Sequence, residues 1–423
     1  MQVSTKLFNQ QQVNTFSKLT ENIQNLQSKI SSGKNFVSAS DDPVAAAELS
    51  GLNTVKERFN QYSENAISGI NRLNIADASL QSITNLMVRA RELTIQAAND
   101  TFGAIDREAF ALELDEMKKE MFSVANAVDS KGAFIFGGFH TKNQPFTLNK
   151  DNRIEYVGDR GTNSVAVSES RTVGTTLDGG SVFMNVINND EVTPMFEVLE
   201  DIIYSIRTAN ESVVEAKAVG KATLQVENGN PGNFSFTLAD SSGSANISVD
   251  LPGSDISGIV TAINSAGLTI SASLSGSTIT LTDSGNGPIT ISDLQVEGIT
   301  KAEKTPKSYL TFNAIDGSGN ALAKEQRMYD KNQSVQNRLD DIKIVQEHLA
   351  NQRAIIGART SSLERHLDLI AERKIAVEKD ISDVSDADLA ELVTTLQSQI
   401  TGLQASQQAF VKISDLNLFQ FIR

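Results

Sequence analysis

A regular apolar repeat near the C-terminal end of the chain constrains the fold more than any other feature of the sequence. From Val335 to Ile381 the stripe advances by four residues and then by three, and ten of its fourteen positions are apolar, against 39% of the whole chain. This spacing is typical of helices that pack as coiled coils. It predicts one long helix. Ser382 to Asp388 is expected to interrupt it, with Ser385 and Asp388 forming a capping box for a last helix.

Two further stripes predict partners for this helix. Apolar residues recur at intervals of three or four from about Pro43 to Ala98, and again from about Asp106 to Val128. Asp42 before Pro43 is typical of an N-cap followed by the first helical residue. Since these helices can bury each other's stripes, we predict a helical rod domain made of residues 41–132 with 322–384.

Each end of the chain carries one more stripe, which has no obvious partner within the chain. Each terminal helix is about 30 residues long, and two such helices paired alone bury little apolar surface. We predict a terminal coiled-coil assembly domain, residues 1–40 with 385–423, whose stripe packs against other copies; an ordinary intrachain core is the alternative. The predicted assembly residues are Phe16, Leu19, Ile23, Leu26, Ile30, Leu392, Leu396, Ile400, Leu403 and Phe410.

The centre of the chain has a different composition. Residues 221–300 include 33 Gly, Ser or Thr, one Lys and no Arg, and short alternating runs are bounded by turn residues. We predict a β-rich outer region at 133–321 that includes a small inserted module at about 221–298. The predicted fold is therefore mainly α with a β-rich insert: a long antiparallel helical bundle formed by both chain ends, plus a central β-rich outer domain. Aromatic residues make up only 6% of the chain, which favours aliphatic core packing.

Charge and composition exclude several classes of function. The chain has 52 acidic and 37 basic residues, a net charge of −15, and no cysteine. A phosphate backbone would repel such a surface, so we expect no nucleic-acid partner. The lack of cysteine excludes thiolate metal sites and thiol nucleophiles. No apolar run reaches the roughly 18 residues of a membrane span, and the first residues do not resemble a cleaved signal peptide.

The remaining candidates for chemistry are better explained by structure. His348 and His366 would lie about 27 Å apart on one helix, too far to share a metal. Asp316 to Asn320 resembles the start of a calcium loop, but Arg327 stands where the loop needs Glu. Acidic clusters at predicted helix starts are typical of caps. We expect no catalytic, cofactor-binding or metal site, and no enzyme activity.

Short motifs near both ends resemble one protein family. They are Leu26–Gly33, Ser40–Ala46, Gly132–Gly138, Pro145–Phe146, Asp386–Leu389, Leu403–Ser406 and Lys412–Leu416. On these motifs the chain resembles the flagellin superfamily over roughly residues 1–180 and 325–423. Pro43-Val44-Ala45 is nearer to the members at the hook–filament junction, whereas the terminal Arg423 is more flagellin-like.

The resemblance implies a structural subunit of the bacterial flagellum, exported without a cleaved signal and located outside the cell. Junction members form a ring of copies between hook-associated protein 1 and the flagellin filament, by coiled-coil packing of their terminal helices. An export chaperone is a further implied partner. Filament flagellin is the alternative. An exported adhesive or glycan-bearing surface protein and an enzyme carried by the β-rich centre are the weaker hypotheses.

Overall fold

The computed structural model describes residues 2–99, 101–188, 191–229, 231–253 and 255–421. The α-helices are α1 (Gln2–Ser32), α2 (Pro43–Ala97), α3 (Ala104–Ala125), α4 (Met195–Ala209), α5 (Ser257–Ser265), α6 (Arg338–Ser385) and α7 (Leu389–Phe421). The first strands are β1 (Phe146–Leu148), β2 (Ile154–Tyr156), β3 (Ser164–Ala166), β4 (Thr172–Gly174), β5 (Val186–Asn188) and β6 (Glu191–Thr193). The remaining strands are β7 (Glu215–Val219), β8 (Lys221–Asn228), β9 (Gly232–Ala239), β10 (Ser244–Leu251), β11 (Ile270–Ser275), β12 (Thr278–Asp283), β13 (Pro288–Val296), β14 (Ser308–Ala314) and β15 (Gln326–Tyr329). The predicted mainly α fold with a β-rich insert is confirmed.

The chain divides into two compact units, which are described separately below. The first contains the described parts of Met1–Ser68, Ala166–Thr172 and Ser362–Arg423, and the second Gly69–Val165 and Val173–Ser361. The three assembly, rod and outer domains stay a prediction about how the chain is organised.

The long stripe that begins at Val335 splits into two series with different burial. One series recurs every seven residues and is at most 5% exposed; its members are Val335, Ile342, Leu349, Ile356, Leu363 and Ile370. The other series, from Leu339 to Lys374, is half-buried and contains all four polar exceptions to the repeat: Gln346, Arg353, Thr360 and Lys374. A half-buried position lets a long polar side chain reach a partner. Arg353 does so, since its Nε donates to Asp77 Oδ1 at 2.8 Å.

A cluster of phenylalanines in the second unit departs from the aliphatic packing that the composition predicts. The rings of Phe136, Phe146, Phe183 and Phe196 contact one another with centroids 5.1–6.0 Å apart. Most of these pairs meet edge to face, the arrangement that aromatic quadrupoles favour. A small number of aromatic residues is therefore concentrated at one place, which an average composition cannot reveal.

Residues 215–329 form a module of two antiparallel sheets around one apolar core. The strand orders are β10-β9-β13-β7 and β11-β12-β8-β14-β15, and α5 packs against the strands β10 and β11. In β9 the buried residues Phe234, Phe236 and Leu238 alternate with half-buried ones, the period of two that the sequence predicts. The module therefore buries one face of each sheet.

The module extends beyond the segment predicted at about 221–298. From inside that segment, β8 pairs with β14 along seven residue pairs, and Leu310 and Phe312 of β14 join the core. On the other side β7 pairs with β13, although β7 precedes the segment. The extent of the inserted segment stays a prediction, while the sheets run from β7 to β15.

A side chain joins the two sheets where β7 lies beside β15. The Gln326 amide Nε2 donates to Lys217 O at 3.1 Å, and its Oε1 accepts from Lys217 N at 2.9 Å. This amide therefore satisfies backbone groups that an edge strand would leave unpaired. Nearby, Val213 N donates to Arg327 O at 2.7 Å, so the chain enters and leaves the module at neighbouring points.

Candidate functional site: the terminal helix pair

Helices α1 and α7 pack against each other as an antiparallel pair in the first unit. We call the ten predicted assembly residues the terminal seam. Ile23 is the one most buried, at 9% exposed, and the other nine are half-buried. Phe16 meets Phe410 edge to face, with ring centroids 5.8 Å apart. The structure thus brings all ten residues to one side of each helix, but the pair alone buries only one of them.

Several apolar residues beside the seam remain open to solvent. Val393 and Val411 on α7 are 41% and 57% exposed, and Val13 on α1 is 55% exposed. By contrast, Leu349 and Ile356 of α6 are at most 2% exposed. The sequence reading missed these residues because it followed a single line of positions three and four apart. Val393 and Val411 each lie one residue after a seam position. Two consecutive apolar residues at these places indicate that the apolar face is wider than the seam.

Two open grooves border these elements within the first unit. One, of about 410 Å³, lies along α1 and is lined by Val13, Phe16 and Thr20, among others. The larger, of about 710 Å³, lies between the loop after α1 and the first turns of α2, with Val37, Ala46 and Leu49 in its wall. The smaller groove lies wholly within the predicted assembly domain, whereas the larger is lined by residues of both the predicted assembly and rod domains.

The helix breaks after α1 and after α6 are bonded to each other. Asn35 N donates to Ser385 O at 2.8 Å, and Ala387 N donates to Gly33 O at 3.0 Å. The Lys34 ammonium adds an ion pair with Asp386 Oδ1 at 2.6 Å. We call residues 33–35 and 385–387 the clasp. It joins the C-terminal end of α1 to the segment that leads into α7.

Electrostatics favour the ionised form of the clasp carboxyl. Hydrogen bonds from Lys34, Ser382 and Ser385 lower the pKa of Asp386 to about 2. The folded-state pKa is therefore below the unfolded one. The contribution of Asp386 to stability is present above about pH 4 and is lost as the pH falls through 2.

Acidic residues at the helix starts are caps, with one correction to the prediction. Asp42 Oδ1 accepts from Val44 N and Ala45 N ahead of α2, as predicted. At the start of α7 the cap is Asp388, whose Oδ1 accepts from Ala390 N and Glu391 N. Ser385 does not form the predicted capping box, because it is still the last residue of α6 and its hydroxyl bonds Asp386.

The histidines do not assemble a chemical site. His348 Nε2 lies 3.0 Å from Val182 O, and His140 lies beside Asp159 at the surface. Burial, followed by the nearby arginines, lowers the pKa of His366. Across the described ranges no three His, Asp or Glu residues are grouped to hold a metal ion. Nor, within those ranges, does any helix have the length and apolar character needed to cross a bilayer.

One buried carboxyl in the second unit is strongly perturbed. Asp201 of α4 lies 3.7 Å from the Arg338 guanidinium, which also contacts Asp341 at 2.9 Å. Burial raises the pKa of Asp201 to about 7, and the charge of Arg338 opposes that shift. Asp201 is 7% exposed, so its protonation bears on the stability of the second unit.

Comparisons with known proteins point to the flagellum. Residues 3–141 match the bacterial flagellin N-terminal helical region. The chain is 24% identical to flagellar hook-associated protein 3 of Escherichia coli over 236 residues, which cover 54% of this chain and 74% of that protein. Flagellin FlaB1 of Treponema pallidum is 34% identical over 110 residues, or 26% of this chain and 38% of that protein. A putative flagellar hook-associated protein from Vibrio parahaemolyticus matches structurally with a TM-score of 0.48 and 14% identity, covering 82% of this chain and 100% of that one.

The two kinds of relative differ in how much of the chain they match. The likeness to hook-associated protein 3 extends over about twice as many residues as the likeness to the Treponema flagellin. The flagellin match has the higher identity but covers little more than a third of that flagellin. The sequence comparisons therefore confirm that this chain resembles the flagellin superfamily and, over most of that relative's length, flagellar hook-associated protein 3.

Proposed function

We propose that this chain is a structural subunit of the bacterial flagellum that forms the junction between hook and filament. The observation that carries the proposal is the 236-residue likeness to hook-associated protein 3, which covers 74% of that relative. The terminal helix pair supports it, because nine of the ten seam residues stay half-buried when α1 and α7 pack only on each other. In an assembly, neighbouring subunits would bury these seam residues.

In this proposal the terminal seam packs in a coiled-coil layer made from several copies. Apolar side chains gain about 25 cal/mol for each Å² removed from water, so a second layer of helices over Val13, Val393 and Val411 would add stability that the monomer lacks. The neighbours would be copies of the same chain around a ring, hook-associated protein 1 on the hook side and flagellin on the filament side. Export without a cleaved signal, with the help of a chaperone, belongs to the same proposal.

Imaging of the flagella tests the proposal directly. In a strain lacking this gene we expect hooks without attached filaments and flagellin released into the medium. Restoring the gene should restore the filaments. Normal filaments on the deletion strain would refute a junction role.

Filament flagellin is the second candidate, because the match to Treponema flagellin has the higher identity, 34% over 110 residues. The two candidates differ in self-association. If the protein is a flagellin, the purified protein should grow into long filaments when filament fragments are added as seeds. If it is a junction subunit, the same mixture should form only short assemblies. Electron microscopy of the seeded protein distinguishes them. Long filaments would favour flagellin, and their absence together with missing filaments in the deletion strain would favour the junction role.

A further inference from the structure

The module of residues 215–329 has four edge strands, and three of them are bonded to other parts of the chain. The edge strands are β10 and β7 in one sheet, and β11 and β15 in the other. The Gln326 amide bonds Lys217 of β7, as described above, and β15 is bonded to the segment that leads into β7. At β11, Asn264 Oδ1 accepts from Ala272 N at 2.8 Å and Asn264 Nδ2 donates to Ala272 O at 2.9 Å. Side-chain amides therefore occupy edge positions where another strand could pair.

The fourth edge strand, β10, is open along most of its length. Among the described residues, its backbone makes one hydrogen bond beyond the pairing with β9: Asn228 Nδ2 donates to Leu251 O at 3.0 Å, at the last residue of the strand. Alternate residues of an edge strand point their N–H and C=O groups away from the sheet. Residues 244–250 therefore offer backbone groups to which another strand could bond.

The side chains of β10 do not protect its edge from pairing. Edge strands are commonly protected by lysine, proline or an inward-pointing charge, but β10 contains one charged residue, the exposed Asp250 near its end, and no proline. Its polar side chains are exposed and alternate with apolar ones that face the core. In a chain with a net charge of −15, such an edge fits a strand that is also nearly uncharged and has the same alternation. β10 itself is such a strand.

We propose that β10 pairs antiparallel with β10 of a second copy of this chain, with Ile247 at the centre of the contact. Each Asp250 then lies opposite Ser244, at the two ends of the contact, whereas a parallel pairing would bring the two carboxylates together. Displacing one strand by one residue would place polar side chains opposite apolar ones. Displacing it by two would shorten the pairing or bring in Leu251, whose carbonyl oxygen already accepts from Asn228.

The polar side chains of β10 already make the kind of contact that this pairing requires. Ser235 Oγ of β9 donates to Asn246 Oδ1, and Ser248 Oγ donates to Asn233 Oδ1 of β9, each at 3.0 Å. In the proposed pairing Asn246 of each copy lies opposite Ser248 of the other. The row of Asn and Ser side chains would therefore continue from β9 through β10 into the second copy. The pairing does not rest on the proposed function in the flagellum.

Disulfide crosslinking of the purified full-length protein reports this register, since the chain has no native cysteine. Opposed residues of antiparallel strands have Cα atoms about 4.5–5.5 Å apart, a separation that a disulfide spans. A mixture of Asn246→Cys protein with Ser248→Cys protein should form the mixed disulfide. Each variant alone should crosslink at least five-fold more slowly, because position 246 lies opposite 248 and not opposite itself.

The bonded edge of β11 supplies the matched control. Ser271 and Ser273 are exposed and lie on either side of Ala272, the residue that Asn264 bonds. A mixture of Ser271→Cys with Ser273→Cys protein should crosslink at least five-fold more slowly than the β10 mixture. Equal rates for the two mixtures would overturn the proposal. Disulfides from position 246 to a segment other than β10, mapped by mass spectrometry, would identify a different occupant and would also overturn it.

Charge substitutions test the same pairing without cysteine. Asn246→Lys/Ser248→Lys places like charges opposite each other twice and should raise the dissociation constant between copies at least ten-fold in sedimentation velocity experiments. Asn246→Glu/Ser248→Lys changes the same exposed positions but places opposite charges together, so it should restore association. The terminal helices are the same in both proteins, so any association through them contributes equally. If both variants associate like the unaltered protein, or both lose association equally, β10 does not pair in this way.

Discussion

The most informative perturbation compares one aspartate substitution at three positions. Ile356 of α6 is 2% exposed, Ile400 of α7 is a half-buried seam residue, and Gln397 lies exposed on the same helix. All three changes add the same charge to a helix. They differ in how much apolar contact is lost in the monomer and in how much would be lost in an assembled layer.

The expected costs follow from burial. Removing the Ile356 side chain forfeits about 1.5–3 kcal/mol of apolar burial, and placing a carboxyl there adds at least about 2 kcal/mol. A total near 4 kcal/mol lowers the melting temperature of a unit of this size by about 10 °C. Ile400 is only half-buried, so Ile400→Asp should cost about 1 kcal/mol, confined to the α1/α7 pair.

Calorimetry of the monomer and complementation of a deletion strain separate these effects. Ile356→Asp should shift the main unfolding transition strongly, whereas Ile400→Asp and Gln397→Asp should leave it within about 1–2 °C of the unaltered protein. In cells, Ile400→Asp should abolish filament attachment, and Gln397→Asp should restore it. If Ile400→Asp shifts the main transition as far as Ile356→Asp, or supports normal filaments, the seam does not serve assembly.

Three further predictions concern the second unit. In denaturant titrations, Gly138→Ala should destabilise the protein by several kcal/mol and Gly132→Ala by only about 1–2 kcal/mol. Both glycines have a positive φ, but a Cβ at Gly138 would also lie 2.2 Å from a backbone oxygen. Equal losses of stability would contradict this. Asp201→Asn should remove a gain of stability that the unaltered protein shows as pH falls from 8 to 5, since its folded-state pKa is raised to about 7; an unchanged pH profile would refute it. Excision of 213–329 with a short glycine linker should keep the cooperative helical melt measured by circular dichroism, because it removes the whole module. Excision of 221–298 should instead expose the core face of β14 and promote aggregation. The reverse result would show that the module supports the helices.

The sequence predicted the helices well because helical periodicity is a local signal. The long helix expected from about Pro43 to Ala98 is α2, Pro43–Ala97, and the cap at Asp42 follows from its position before Pro43. Strands β8, β9, β10 and β12 of the module were equally accessible, since their alternation is also local. What the pattern could not supply was the pairing of β8 with β14, because strand partners far apart in the chain leave no periodic trace.

The candidate site was predicted in part. Phe16 and Phe410 of the terminal seam are in contact across the pair, and the role of the ten residues in assembly stays a prediction. The clasp was missed, because nothing in the local sequence indicates that Lys34 meets a residue 352 positions away. The terminal Arg423, which resembles flagellins, lies with residue 422 outside the described part of the chain.

The same apolar repeat has different burial in α6 and in the terminal helices, and the difference indicates what an assembled neighbour must supply. Along α6 one series is buried at every seventh residue through Ile370. The terminal seam has comparable side chains at comparable spacing, yet only Ile23 reaches 9% exposure. An apolar stripe shows how much apolar surface a helix offers and not what covers it, so in the proposed assembly the additional contacts would come from outside the α1/α7 pair. A neighbour that fits must therefore present an apolar helical face long enough to follow the seam from Phe16 to Ile30.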